Sequence, residues 1–147
     1  MIEKTAIIYG TRPEFLKLFP LIIEFKKNHT NVCIINTGQH DSMLTDLENS
    51  FGIEPNFSLS VQSKNFTNSN LIAKLINELS NVIHKENIQK IIAQGDTFTV
   101  LCSSLVAFME QRNFYHIEVG LRTSNIRLLF HEEDHKICVS LGSDFIF

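Results

Sequence analysis

Several things this 147-residue sequence does not have narrow its reading at once. It has no basic excess. Thirteen Lys and Arg stand against sixteen Asp and Glu, a net charge of −3, so a general nucleic-acid-binding face is not expected. That balance still allows one anionic small molecule to be held locally. No apolar run approaches the ~20 residues of a membrane span, and no membrane association is expected. Met1-Ile2-Glu3-Lys4 leads directly into an apolar segment, unlike a secretory signal. No CxxC spacing points to zinc. Nothing matches GxGxxG, and Asp96 is not followed by the Gly-Lys-Ser of a phosphate loop. The three cysteines, Cys33, Cys102 and Cys138, are far apart, odd in number and set in apolar runs. They read as small buried hydrophobes in a reducing, cytoplasmic setting. Internal repeats, low-complexity tracts and linkers are missing too.

What is there suits one domain over residues 1–147, with 44% hydrophobic and 20% charged residues. Thr5-Ala6-Ile7-Ile8-Tyr9 is short and continuously apolar, the mark of a strand buried on both faces. Val32–Ile35, Ile88–Ala93, Phe114–Ile117 and a strand beginning at Asp144 repeat the pattern, and Pro55–Leu59 suits a brief edge pairing. Between them lie helical spacings. Phe15, Leu18, Phe19, Ile22 and Ile23 form the first, which Pro20 is expected to kink or split. Met43, Leu44, Leu47 and Phe51 are expected inward on the second, capped by Asp41 or Ser42 and stopped by Gly52. Residues 62–70 read as a surface loop. Leu71, Ile72, Leu75, Ile76, Leu79, Val82 and Ile83 make a long amphipathic helix. Val100, Leu101, Leu105, Val106, Phe108 and Met109 make a heavily buried one. Residues 124–130 read as a loop and 132–140 as a helix. This order predicts an α/β fold, a doubly wound, mostly parallel Rossmann-like sheet. A chain ending on an apolar strand reads as a domain cut from something longer.

Right-handed crossovers bring the strand ends to one edge, and three of those ends are polar. The first is Gly10-Thr11-Arg12-Pro13-Glu14, with Lys17 a turn and a half further on. Gly10 would let a ligand approach the backbone, and Arg12, Lys17 and the helix start could hold a phosphate. Alternatively, Arg12 pairs with Glu14 or another carboxylate and Lys17 is solvated. The second is Gln94-Gly95-Asp96-Thr97. Asp96 can be a catalytic carboxylate at a buried strand's tip or simply the cap of the helix starting near Phe98. The third is Glu118-Val119-Gly120-Leu121-Arg122-Thr123. Glu118 can serve as a base, bond a sugar hydroxyl or pair with Arg122. His131 and His135 stand at i, i+4 but have no third ligand in sequence, so no metal is expected. His40 suits a ligand contact or a turn, and His29 and His84 suit the surface.

Taken together these stretches resemble the non-hydrolysing UDP-N-acetylglucosamine 2-epimerases. The resemblance rests on Gly10-Thr11-Arg12-Pro13-Glu14 with Lys17 and Pro20, and on Asn36-Thr37-Gly38-Gln39-His40 with Met43-Leu44. It continues through Phe51-Gly52-Ile53, Gln94-Gly95-Asp96-Thr97 and His116-Ile117-Glu118 with Gly120-Leu121-Arg122-Thr123. It runs from Ala6 to Phe147 and covers the family's N-terminal half only. The resemblance implies half of a glycosyltransferase-B-like fold, without the C-terminal domain. It implies inversion at C2 of UDP-N-acetylglucosamine by elimination of UDP and re-addition, with no cofactor. Asp96, Glu118 and Glu132 would be the acid/base carboxylates, and crowding near a diphosphate would raise at least one of their pKa values. Arg12, Lys17 and Arg122 would meet substrate, and Gln39 with His40 would belong to a regulatory nucleotide-sugar site. A separate C-terminal half or a second copy of the chain is the partner this implies, the former against an exposed apolar flank.

The sequence also departs from the family's pattern. Val119 stands where alanine is usual. Leu129-Phe130-His131-Glu132-Glu133 lacks the prolines of the usual Pro-aromatic-Pro-Glu-Glu stretch, and Asp134-His135-Lys136 follows where Asn-Arg is usual. A truncated relative that folds without turnover is therefore the alternative to an active epimerase half.

Overall fold

A strand that is apolar at every position has no face for water, so it needs layers on both sides. The computed structural model, which describes residues 3–38, 42–59, 61, 67–117 and 143–146, builds them. The chain runs β1 (Thr5–Tyr9), α1 (Arg12–Lys27), β2 (Val32–Asn36), α2 (Ser42–Ser50), β3 (Phe57–Ser58), α3 (Asn68–Lys85), β4 (Lys90–Gln94), α4 (Phe98–Met109), β5 (Asn113–Ile117) and β6 (Ser143–Ile146). The sheet order is β3-β2-β1-β4-β5-β6. Each pairing is parallel, with Ile7 beside Ile34 on one flank and Ile92 on the other. This is the doubly wound order in which the chain reverses direction between β1 and β4.

The period of two in the strands sorts their side chains between two cores. Ala6, Ile8, Cys33, Ile35, Ile91 and Ala93 pack with Leu75, Leu79 and Ile83 of α3 and Val100, Cys102 and Val106 of α4. Ile7, Tyr9, Ile34 and Ile92 pack with Phe15, Leu18 and Ile22 of α1 and Leu44 of α2. Cys33 and Cys102 are buried, and burial pushes the Cys33 thiol up to about 11. Cys138 lies outside the described residues, as do the expected loop over 124–130 and helix over 132–140.

Some expectations fail for local reasons. Pro20 does not split α1, which is continuous from Arg12 to Lys27. Pro20 lies on the exposed side, where water can take up the carbonyl that its missing N–H leaves over. Of the four residues expected inward on the second helix, only Leu44 is fully buried. Met43 is 57% and Phe51 39% exposed, though the Phe51 ring packs 4.4 Å from Phe19. Phe108 and Met109, in the last turn of α4, point outward. The expected loop over 62–70 gives way to helix at Asn68, because Thr67 accepts a hydrogen bond from the Asn70 N–H and caps α3. Residues 62–66 lie outside the described residues. Among the described residues no helix is long and apolar enough to cross a membrane.

Candidate active site at the reversal point

Where β1 and β4 diverge, the turns that follow them enclose a cleft of ≈ 780 Å³, formed by residues 10–14, 17 and 94–97. Arg12 opens α1 and is exposed, as is Lys17. Asp96 is half-buried on the opposite wall. Two cations and a carboxylate from stretches far apart in sequence thus share one cavity at the crevice where open α/β sheets bind ligands.

The backbone fixes this arrangement. Gly95 adopts φ +94, a conformation L side chains rarely take, and so turns the chain to present Asp96. Both sides of Gly95 are held by β5. Its N–H donates to the Ile117 carbonyl at 3.2 Å, and its carbonyl lies 2.7 Å from Nε2 of the fully buried His116. Asp96 is not the cap of α4. That position belongs to Thr97, whose hydroxyl makes no capping bond and instead donates to Glu14 Oε1.

Glu14 is 3% exposed. Its Oε2 accepts from the N–H of Gly10 at 2.6 Å and of Thr11 at 3.0 Å, closing a capping box with Thr11. Burial raises its pKa above the ordinary value, and the bonds from Thr97, Gly10 and Thr11 pull against that rise. This corrects two sequence readings. Among the described residues no ion pair joins Arg12 to Glu14. The Gly10 and Thr11 amides are already occupied by a carboxylate, so an anion in the cleft would meet side chains there. The room left by Gly10's missing Cβ is taken by protein as well. A Cβ there would lie 2.5 Å from the hydroxyls of both Thr37 and Thr99, which bond each other at 2.7 Å beneath it.

Arg12, Lys17 and Asp96 are therefore brought together. Gln39, His40, Glu118, Arg122 and Glu132 lie outside the described residues, as do His131 and His135. Among the described residues no group of three or more His, Cys, Asp or Glu is placed to hold a metal. Sequence reasoning missed Glu14 and Thr97 as the link between the two walls. The Thr-x-x-Glu capping signature was visible, but the bond across 83 residues has no local signal. A second cavity, ≈ 660 Å³, is largely apolar and lies where Leu21 and Phe25 face Ile92, Tyr115 and Ile117. Its charged residues, Glu3 and Lys90, are paired at 2.6 Å, so it offers no convergent charge.

The fold and the placement of the cleft define a Rossmann-type α/β protein with a polar site at its reversal point. The sequence profile of the UDP-N-acetylglucosamine 2-epimerase family matches residues 24–147, and the chain belongs to that family. A UDP-N-acetylglucosamine 2-epimerase from Salmonella borreze is 35% identical over 137 residues, 91% of this chain and 36% of the relative. One from Campylobacter jejuni is 32% identical over 148 residues, 100% of this chain and 39% of the relative. The crystal structure of the Neisseria meningitidis enzyme bound to UDP-GlcNAc superposes with a TM-score of 0.91 at 30% identity. That match covers 98% of this chain and 39% of the other. The chain thus spans well under half the length of these relatives.

Proposed function

We propose that this chain supplies the N-terminal wall of a UDP-N-acetylglucosamine 2-epimerase site. The observation that carries the reading is the meeting of Arg12, Lys17 and Asp96 on one cleft at the reversal point. The Neisseria relative of the same fold binds UDP-GlcNAc, which supports the substrate class. In the proposed reaction a carboxylate removes the C2 proton as the C1–oxygen bond to UDP breaks, leaving a glycal. A proton then returns to C2 from the opposite face, and UDP adds back at C1. Asp96, Glu118 and Glu132 are the proposed acid/base groups. Arg12, Lys17 and Arg122 meet the substrate, the first two stabilising the departing diphosphate. Gln39 and His40 belong to a regulatory nucleotide-sugar site. The product, UDP-N-acetylmannosamine, would serve polysaccharide biosynthesis in the cytoplasm.

The test is solvent deuterium incorporation at C2 of UDP-N-acetylglucosamine, measured with the chain alone and with a C-terminal half supplied. Exchange is expected with the half present. Exchange under neither condition removes the catalytic claim and favours an inactive relative, the reading that the substitutions at residues 129–136 support. Asp96→Asn is expected to abolish exchange without unfolding the sheet, because the residue caps no helix and packs in neither core. Full exchange by that variant would remove Asp96 from the acid/base set.

A further inference from the structure

The β1–β4 ladder pairs Thr5 through Ile8 with Lys90 through Ala93 and goes no further. Beyond it the two turns separate, and each carries part of the proposed site. Arg12 and Lys17 follow β1, and Asp96 follows β4. Something must set the distance between them. Glu14 is built to do it. One of its carboxylate oxygens is bonded to the turn that holds Arg12, through the Gly10 and Thr11 amides. The other is bonded to Thr97, the neighbour of Asp96. Gly95 lies against the same side chain, since a Cβ there would be 3.9 Å from Glu14 Cγ.

We propose that Glu14 is a positioning residue: its carboxylate clamps the β1–α1 turn to the β4–α4 turn and so fixes Arg12 and Lys17 relative to Asp96. The proposal rests on the epimerase reading for what the clamp is for, but not for whether the clamp exists. The side chain is well chosen for the task. A glutamate at the third helical position reaches back to its own cap and still has one oxygen to spare. Aspartate, one methylene shorter, would reach one turn but not both. Glutamine keeps the shape: its amide oxygen can accept from the two N–H groups while its NH₂ donates to the Thr97 hydroxyl.

Thr97→Val tests the clamp, because it removes the cross-turn donor without touching a cap: that hydroxyl caps nothing. Thr97→Ser restores the donor. In ¹H–¹⁵N spectra of the chain, Thr97→Val is expected to shift the Arg12 and Asp96 amides together. Thr97→Ser is expected to return both, and Glu14→Gln to leave them near their original positions. This readout needs no turnover. In C2 exchange by the chain with its C-terminal half, Thr97→Val is expected to lower the rate at saturating substrate by about tenfold or more with a smaller change in KM. Misplaced reacting groups lose turnover steeply even when each still binds. Thr97→Ser is expected to recover the rate. If the Arg12 amide does not move in Thr97→Val, or Thr97→Ser fails to restore it, the clamp is overturned. If the amides move while exchange in an active wild type is unchanged, its role in positioning is overturned. An inactive wild type removes the epimerase reading instead and leaves the spectra to decide the clamp.

Discussion

At the scale of single residues, Glu14 has the most at stake. It is a buried acid whose charge is opposed by desolvation and supported by three donors, and desolvation is the larger effect. The consequence for stability has a definite sign. Below the ordinary glutamate value both folded and unfolded chains carry the proton, and Glu14 contributes no pH dependence. As pH rises past that value the unfolded chain ionises first, so the folded state loses ground until its own raised pKa is passed. Glu14→Gln removes that loss and, by the geometry above, retains the bonds. Urea unfolding from pH 4 to 8 should therefore show the variant gaining on the wild type as pH rises. A wild type that gains instead would mean the folded-state pKa is lowered. The residues that meet in the cleft were legible because each is a polar residue at a strand's end. What holds them was not, since nothing near Glu14 in sequence points to Thr97.

At the scale of elements, the four helices among the described residues end alike. His29, Gly52, Asn87 and Gln111 each take positive φ. In each case the next N–H bonds back five residues, Thr30 to Phe25, Ile53 to Glu48, Ile88 to Ile83 and Arg112 to Ala107. This Schellman turn satisfies the last carbonyls and aims the chain at the following strand or edge. Only Gly52 advertised it. The other three positions hold residues that pay a steric penalty in this conformation, so their helix ends could be read only from the loss of periodicity. Gln111 is exposed and packs in neither core, so Gln111→Gly should stabilise the fold by about 0.5–1 kcal/mol, read as a higher denaturation midpoint. An unchanged or lower midpoint would show that the side chain makes up for the strain. The helix stripes misled where they end. Spacing placed Met43, Phe51, Phe108 and Met109 with the core, but periodicity does not say where along a helix the core stops.

At the scale of the whole molecule, the decisive feature is the reversal between β1 and β4. Strands buried on both faces and right-handed crossovers made that architecture readable from the chain alone, down to the short edge pairing of Phe57 and Ser58 with β2. The same reversal explains why the cleft lies between residues 10–17 and 94–97 and not in the apolar cavity by Tyr115. The central claim is that this cleft receives the nucleotide-sugar. Titrating UDP-N-acetylglucosamine into isotope-labelled chain and following every backbone amide tests it most directly, since binding is read whether or not turnover occurs. The account predicts saturable shifts concentrated at Arg12, Lys17 and Asp96. Saturable shifts centred on Leu21, Phe25 and Tyr115, with the reversal-point amides unmoved, would contradict it.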